Sequence, residues 1–84
     1  MFYIINYDLN QSGQRYDSLI KAIRTFPCIH IMQSVWFIKS SKSAGELYSL
    51  FSIHLDNNDR IFIEEINTNG AGQISQAGWD FLNS

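Results

Sequence analysis

The sequence predicts an α+β fold: a ferredoxin-like βαββαβ antiparallel sheet with two helices on one face and a short C-terminal helix. Three observations predict it. Residues 2–9, FYIINYDL, are rich in aromatic and β-branched types and alternate like a strand. Two stretches with apolar residues at helical spacing, 16–26 and 44–55, separate further strand-like runs. The resulting order is strand, helix, strand, strand, helix, strand, plus a tail. Right-handed crossovers then place the strands in the order 4-1-3-2, with the first strand central between two antiparallel neighbours. The 84 residues read as one domain, with a core over 2–66 and a C-terminal extension over 67–84.

Each element has its own signal. In the first strand, period two puts Phe2, Ile4, Asn6 and Asp8 on one face and Tyr3, Ile5, Tyr7 and Leu9 on the other. NQSG at 10–13 is turn chemistry, with Ser12 as the expected N-cap. Tyr16, Leu19, Ile20, Ile23 and Phe26 form an amphipathic stripe that Pro27 ends. The run CIHIMQSVWFIKS at 28–40 is long for a single strand, so it divides into about 28–32 and 34–40, joined near Gln33–Ser34. SAGE at 43–46 is a capping box opening the second helix. DNND at 56–59 is a turn, RIFIEEI at 60–66 the last strand and NTNGAG a loop. Ile74, Ala77, Gly78, Phe81 and Leu82 mark the final helix.

Composition narrows the function. Hydrophobic residues make up 45% of the chain and aromatics 14%, enough for a real core. A domain this small buries only about 60–65% of its unfolded surface, which favours a homodimer. Six Lys and Arg against eight Asp and Glu give a net charge of −2, which argues against a broad duplex-DNA-binding surface. Cys28, alone of its kind, excludes an internal disulfide and a cysteine zinc site. The N-terminus lacks a signal-peptide pattern and no apolar run is long enough for a membrane span, so a cytoplasmic protein with no membrane role is expected.

The topology draws attention to Asp8. At the C-terminal end of a central strand it is expected beside Ser34 and Val35 on one side and Arg60 and Ile61 on the other, with Asn10, Gln33 and Asp59 near. If the helices cover Tyr3, Ile5 and Leu9, the opposite face presents Phe2 and Ile4, and a second subunit is expected to cover it. Asp8 would then face its own copy. Two such carboxylates repel unless a cation or a proton lies between them, and oxygen ligands suit Mg²⁺ or Mn²⁺. As plain strand punctuation, Asp8 would instead make a local turn.

YDL at 7–9, a helix, and then QSVWF at 33–37 resemble the small CRISPR-associated adaptation protein that partners the integrase, and the virulence-associated protein D-like family of the same fold. The resemblance spans about residues 2–66. It implies a ferredoxin-fold homodimer whose relatives include metal-dependent nucleases and DNA-holding scaffolds. It matches Asp8 to the metal-coordinating aspartate, Ser34 to the serine close to it and Tyr7 to the preceding aromatic. The chain departs from that pattern in having NQSGQ rather than basic residues after the aspartate, with only Arg15 close, and in ending on a helix rather than an exchanged strand.

Two functions follow as expectations. The first is a homodimeric, Mg- or Mn-dependent endonuclease acting on RNA or single-stranded nucleic acid. Asp8 from both subunits would hold the metal, Ser34 would assist, and Arg15, Arg60 and Lys39 would contact phosphate. The second is a non-catalytic dimeric binding or scaffold module with a protein or nucleic-acid partner. His30 and His54 are the remaining general-base candidates. Lys21, Arg24, Lys39 and Lys42 are the other scattered bases. Trp36 and Phe37 could stack bases but fit a core better.

Overall fold

The computed structural model describes residues 1–10, 14–67 and 69–84. Seven elements follow one another: β1 (Phe2–Asp8), α1 (Gln14–Ile23), β2 (Cys28–Met32), β3 (Val35–Lys39), α2 (Ala44–Ser52), β4 (Arg60–Glu65) and α3 (Gln76–Leu82). The strands form one antiparallel sheet in the order β2-β3-β1-β4, the expected order read from the other edge.

One face of the sheet carries the core. Tyr3, Ile5 and Tyr7 of β1 and Trp36 and Ile38 of β3 pack against Leu19 and Ile23 of α1 and Leu47 and Phe51 of α2. The alternation in β1 therefore sends its odd-numbered residues to the helices, as the pattern of apolar residues requires. Partly buried Ile61 and Ile63 of β4 complete the same face.

The helix ends differ from the expected bounds for identifiable reasons. The Ser12 cap lies outside the described residues. α1 stops at Ile23 rather than Phe26, because Pro27 disfavours helical backbone at the residue before it. The chain tightens instead, with Thr25 N donating to Ala22 O and Phe26 N to Ile23 O. α2 begins with the expected capping box. The Ser43 hydroxyl accepts from Glu46 N at 3.1 Å, and the Glu46 carboxylate accepts from Ser43 N at 2.9 Å. α2 ends at Ser52, and His54 and Leu55 continue only in three-residue turns.

The hairpin joining β2 to β3 turns at Gln33–Ser34 with no positive φ among the described residues. A two-residue turn of that kind splays the right-handed twist of its strands. The mismatch is taken up by a β-bulge between His30 and Met32.

The second face is partly covered within the chain. The Phe81 ring of α3 stands edge-on to Phe2 with centroids 5.5 Å apart. A Cβ on Gly78 would lie 2.8 Å from Ile31 Cδ1, so this helix sits close on β2. α3 thus packs over part of the face on which a second subunit was expected, and Phe2 and Ile4 remain partly exposed. The segment 69–84 reaches β2 through α3 and buries part of that face.

Candidate functional site

Asp8 is the last residue of β1 and is exposed. Its cross-strand partner is Arg60, as the topology predicted. Both lie on the α3 side of the sheet, by alternation from Tyr7 on the helix side. The Arg60 guanidinium is held along its own chain, Nη1 donating to Asn57 O at 3.2 Å and to Asp59 O at 3.0 Å.

Ser34 is displaced from its expected place. Tyr7 N donates to Ser34 O at 3.1 Å, and Val35 stands opposite Asn6. Ser34 therefore shares a level and a face with Tyr7, the face opposite that of Asp8. The register is set by fitting Ile5 to Trp36 and Tyr3 to Ile38, and this moves the hairpin one residue from the position assumed in the sequence. Lys39 pairs with Phe2 at the far end of β1, its Nζ 5.3 Å from that ring. Six residues of strand put it about 20 Å from Asp8. The side chain of Arg15 lies outside the described residues. Of the five expected site residues, the fold brings together Asp8 and Arg60.

The polar centre of this end of the sheet is Asp59, 7% exposed. Its Oδ1 accepts from Asn10 N at 2.7 Å and from the Tyr16 hydroxyl at 2.8 Å, and its Oδ2 accepts from Asp56 N at 2.8 Å. One carboxylate thus ties the end of β1, α1 and the α2–β4 turn together. The Asp-Asn-Asn-Asp spacing just before a strand was the signal for it, since the second aspartate can receive the amide of the first.

The other candidates are occupied in packing. Trp36 is 2% exposed, and its Nε1 donates to the buried Tyr7 hydroxyl at 3.0 Å. His30 stacks on the Trp36 ring at 4.2 Å, and the Arg24 guanidinium lies 5.5 Å from the same ring. Trp36 is closed to a nucleic-acid base, and Phe37, also buried, has its face turned to the α3 side of the sheet. His54 Nδ1 lies 2.8 Å from Ser18 Oγ, joining the segment after α2 to α1. Burial pushes the Cys28 thiol pKa up, and the charge of Arg24 opposes this only partly. Among the described residues, no group of three or more His, Cys, Asp or Glu is placed to hold a metal ion.

The fold has a relative of known structure. It resembles the crystal structure of a hypothetical protein from Thermus thermophilus, with a TM-score of 0.67, 17% identity and coverage of 88% of this chain and 93% of that one. At that identity the likeness speaks for the fold, and the fold is ferredoxin-like. No family model and no curated protein matches the sequence. Among the described residues, no helix is long and apolar enough to cross a membrane.

A cleft of about 490 Å³ opens between the second sheet face and the C-terminal segment. Ile4, Val35 and Phe37 floor it, and Ile31, Trp79 and Leu82 wall it. At its rim stands Glu64, the cross-strand partner of Ile4. Its neighbour Glu65 pairs with Tyr3 on the helix face. There burial raises the Tyr3 phenol pKa, and the charge of Glu65 and then that of Glu46 add to the rise. The cleft thus has an apolar floor and walls, with Glu64, Glu65, Asn67, Asn69 and Gln73 also in its lining.

Proposed function

We propose that this chain is a non-catalytic binding module whose partner is a protein segment carrying apolar side chains beside a basic residue. The observation that supports this reading is the cleft under the C-terminal segment. Its apolar floor and walls suit side chains removed from water, and Glu64 suits a cation at the rim. The overall acidic balance of the chain favours the same class of partner.

The test uses Trp79 as reporter. An amphipathic Leu/Lys peptide titrated into the protein is expected to change its tryptophan emission and to saturate, whereas a Leu/Glu peptide of the same length is not. Ile4→Lys, which puts a like charge on the cleft floor, is expected to abolish the change. Equal responses to both peptides, or a full response from Ile4→Lys with its fold intact, would overturn the reading.

A second reading rests on the exposed Asp8 opposite Arg60. It is the metal-dependent endonuclease suggested by the resemblance to the CRISPR-associated and virulence-associated families. One protomer offers a single carboxylate there, so Mg²⁺ or Mn²⁺ would need Asp8 from a second copy. Cleavage of labelled single-stranded RNA with either metal, lost in Asp8→Asn, is the outcome that would favour it.

A further inference from the structure

The two edges of the sheet are not alike. β2 carries a bulge and is preceded by Pro27, both of which discourage pairing with another chain. β4 has neither. It is a regular six-residue strand, Arg-Ile-Phe-Ile-Glu-Glu, bonded among the described residues only to β1, with no Pro and no Lys along it. At its centre Phe62 is 63% exposed, and over its helix-facing side Tyr48 of α2 is 54% exposed, sharing a surface depression with Ile61 and Arg60.

The hydrogen bonds of the sheet say which amides of β4 are free. Ile66 N donates to Phe2 O, while Tyr7 N donates to Ser34 O and Ser40 N to Met1 O. Odd residues of β1 thus bond towards β3 and even residues towards β4. In β4, residues 60, 62 and 64 bond inwards, and Ile61, Ile63 and Glu65 direct their N–H and C=O groups outwards.

We propose that β4 pairs antiparallel with β4 of a second copy of this chain, joining two four-stranded sheets into one of eight strands. Directly opposed residues in such a pair share a face, so a two-fold register must match residues of equal parity. Centring it on Phe62 places Phe62 against its own copy, Ile61 against Ile63 and Arg60 against Glu64. In this register the outward amides of Ile61 and Ile63 meet as hydrogen-bonded pairs. Phe62 falls at the non-hydrogen-bonded position, where side chains lie closest. Moving the centre one residue either way sets Phe62 against Arg60 or against Glu64 and loses the ion pairs. Sequence, exposure and amide direction converge on one register, and the bulged β2 edges leave the assembly closed at two chains.

The arrangement also bears on Asp8. Three inter-strand spacings and four residues of stagger would separate the two copies of Asp8 by about 20 Å, too far to share a cation. The dimer proposed from β4 and a shared Asp8 metal site are mutually exclusive. The occupant of the cleft plays no part in the argument, so the peptide titration and the tests below fail independently.

Sedimentation equilibrium of the whole chain, from micromolar to sub-millimolar concentration, is expected to give the mass of two chains. Phe62→Lys, which opposes two ammonium groups on the two-fold axis, is expected to give one chain with an unchanged circular dichroism spectrum. Arg60→Glu is expected to raise the dimer dissociation constant about tenfold, by turning two attractive cross-strand pairs repulsive. Adding Glu64→Arg is expected to restore it. In a Cys28→Ser background, Phe62→Cys is expected to cross-link under mild oxidation and Glu64→Cys is not, since only the first brings two sulfurs within bonding reach. A wild-type monomer throughout, a dimer indifferent to Phe62→Lys, or a charge swap that fails to restore association would overturn the proposal.

Discussion

Asp8 and Arg60 face each other across the β1/β4 pair, yet Arg60 Nη1 is held by the carbonyls of Asn57 and Asp59. The neighbouring Asp59 is buried and accepts three hydrogen bonds from three parts of the chain. Two aspartates at one end of the sheet thus do different work, one in solvent and one in the architecture.

That contrast predicts opposite mutational outcomes. Asp59→Ala removes the carboxylate that accepts from the Tyr16 hydroxyl and two backbone amides, and is expected to lower stability by about 2–4 kcal/mol. Asp8→Asn alters an exposed strand end and is expected to stay within about 0.5 kcal/mol of wild type. Urea unfolding of the two variants measures both, and the reverse ranking would show that the network around Asp59 does not hold this end together.

The Trp36–Tyr7 hydrogen bond gives a second prediction. Both side chains are buried, and the Tyr7 hydroxyl accepts the indole N–H at 3.0 Å. Tyr7→Phe leaves that N–H without its acceptor in the core, at a cost of about 1–3 kcal/mol. The Trp36 emission is expected to shift as well, because its polar contact is lost while its cover by His30 stays. A neutral Tyr7→Phe variant would mean that the indole finds another acceptor.

The elements of this fold were legible in the sequence because their signals are local. Alternation in FYIINYD, the stripe from Tyr16 to Ile23 and the SAGE capping box each specify one element within a few residues. The strand order followed from handedness. Register was less legible. It depends on how Tyr7 and Trp36, 29 residues apart in sequence, fit together across the strands, and one residue of error carried Ser34 to the face away from Asp8. The role of α3 was hidden for a related reason. Its apolar residues announce that it docks, and they do not say on which surface.

The α2 capping box predicts a pH effect. Hydrogen bonding of the Glu46 carboxylate to the Ser43 backbone, and then to its side chain, lowers the Glu46 pKa from 4.5, with a smaller contribution from Lys42. A depressed folded-state pKa means that the ionised form stabilises the fold. The contribution is complete above the unfolded value near 4.5 and is lost as pH falls through the folded one. Wild type is therefore expected to exceed Glu46→Gln in melting temperature at neutral pH, with the gap closing in acid. Ser43→Ala, which removes the cap itself, is expected to cost about 1 kcal/mol at neutral pH. A gap that widened in acid would reverse the assigned sign.

Gly78 tests how firmly α3 is bound to the rest of the fold. A Cβ there would lie 2.8 Å from Ile31 Cδ1 and 2.9 Å from Ile74 Cδ1. Both atoms are tips of flexible side chains, so Gly78→Ala can be accommodated by rotating them. Replacing a helical glycine gains up to about 1 kcal/mol, which offsets the crowding and leaves a variant close to wild type. Gly78→Leu has no such remedy, because the extra atoms must enter the space between α3 and β2. Helix α3 is then expected to lift from the sheet. The core on the opposite face draws on α1 and α2 and takes no residue from α3, so the sheet is expected to survive. Limited proteolysis should cut the Gly78→Leu variant within residues 67–84, and an apolar dye should bind the uncovered face, with the far-ultraviolet spectrum retained. Global unfolding of that variant would instead make α3 an integral part of the core, and an unchanged cleavage pattern would mean that it does not rest on Ile31.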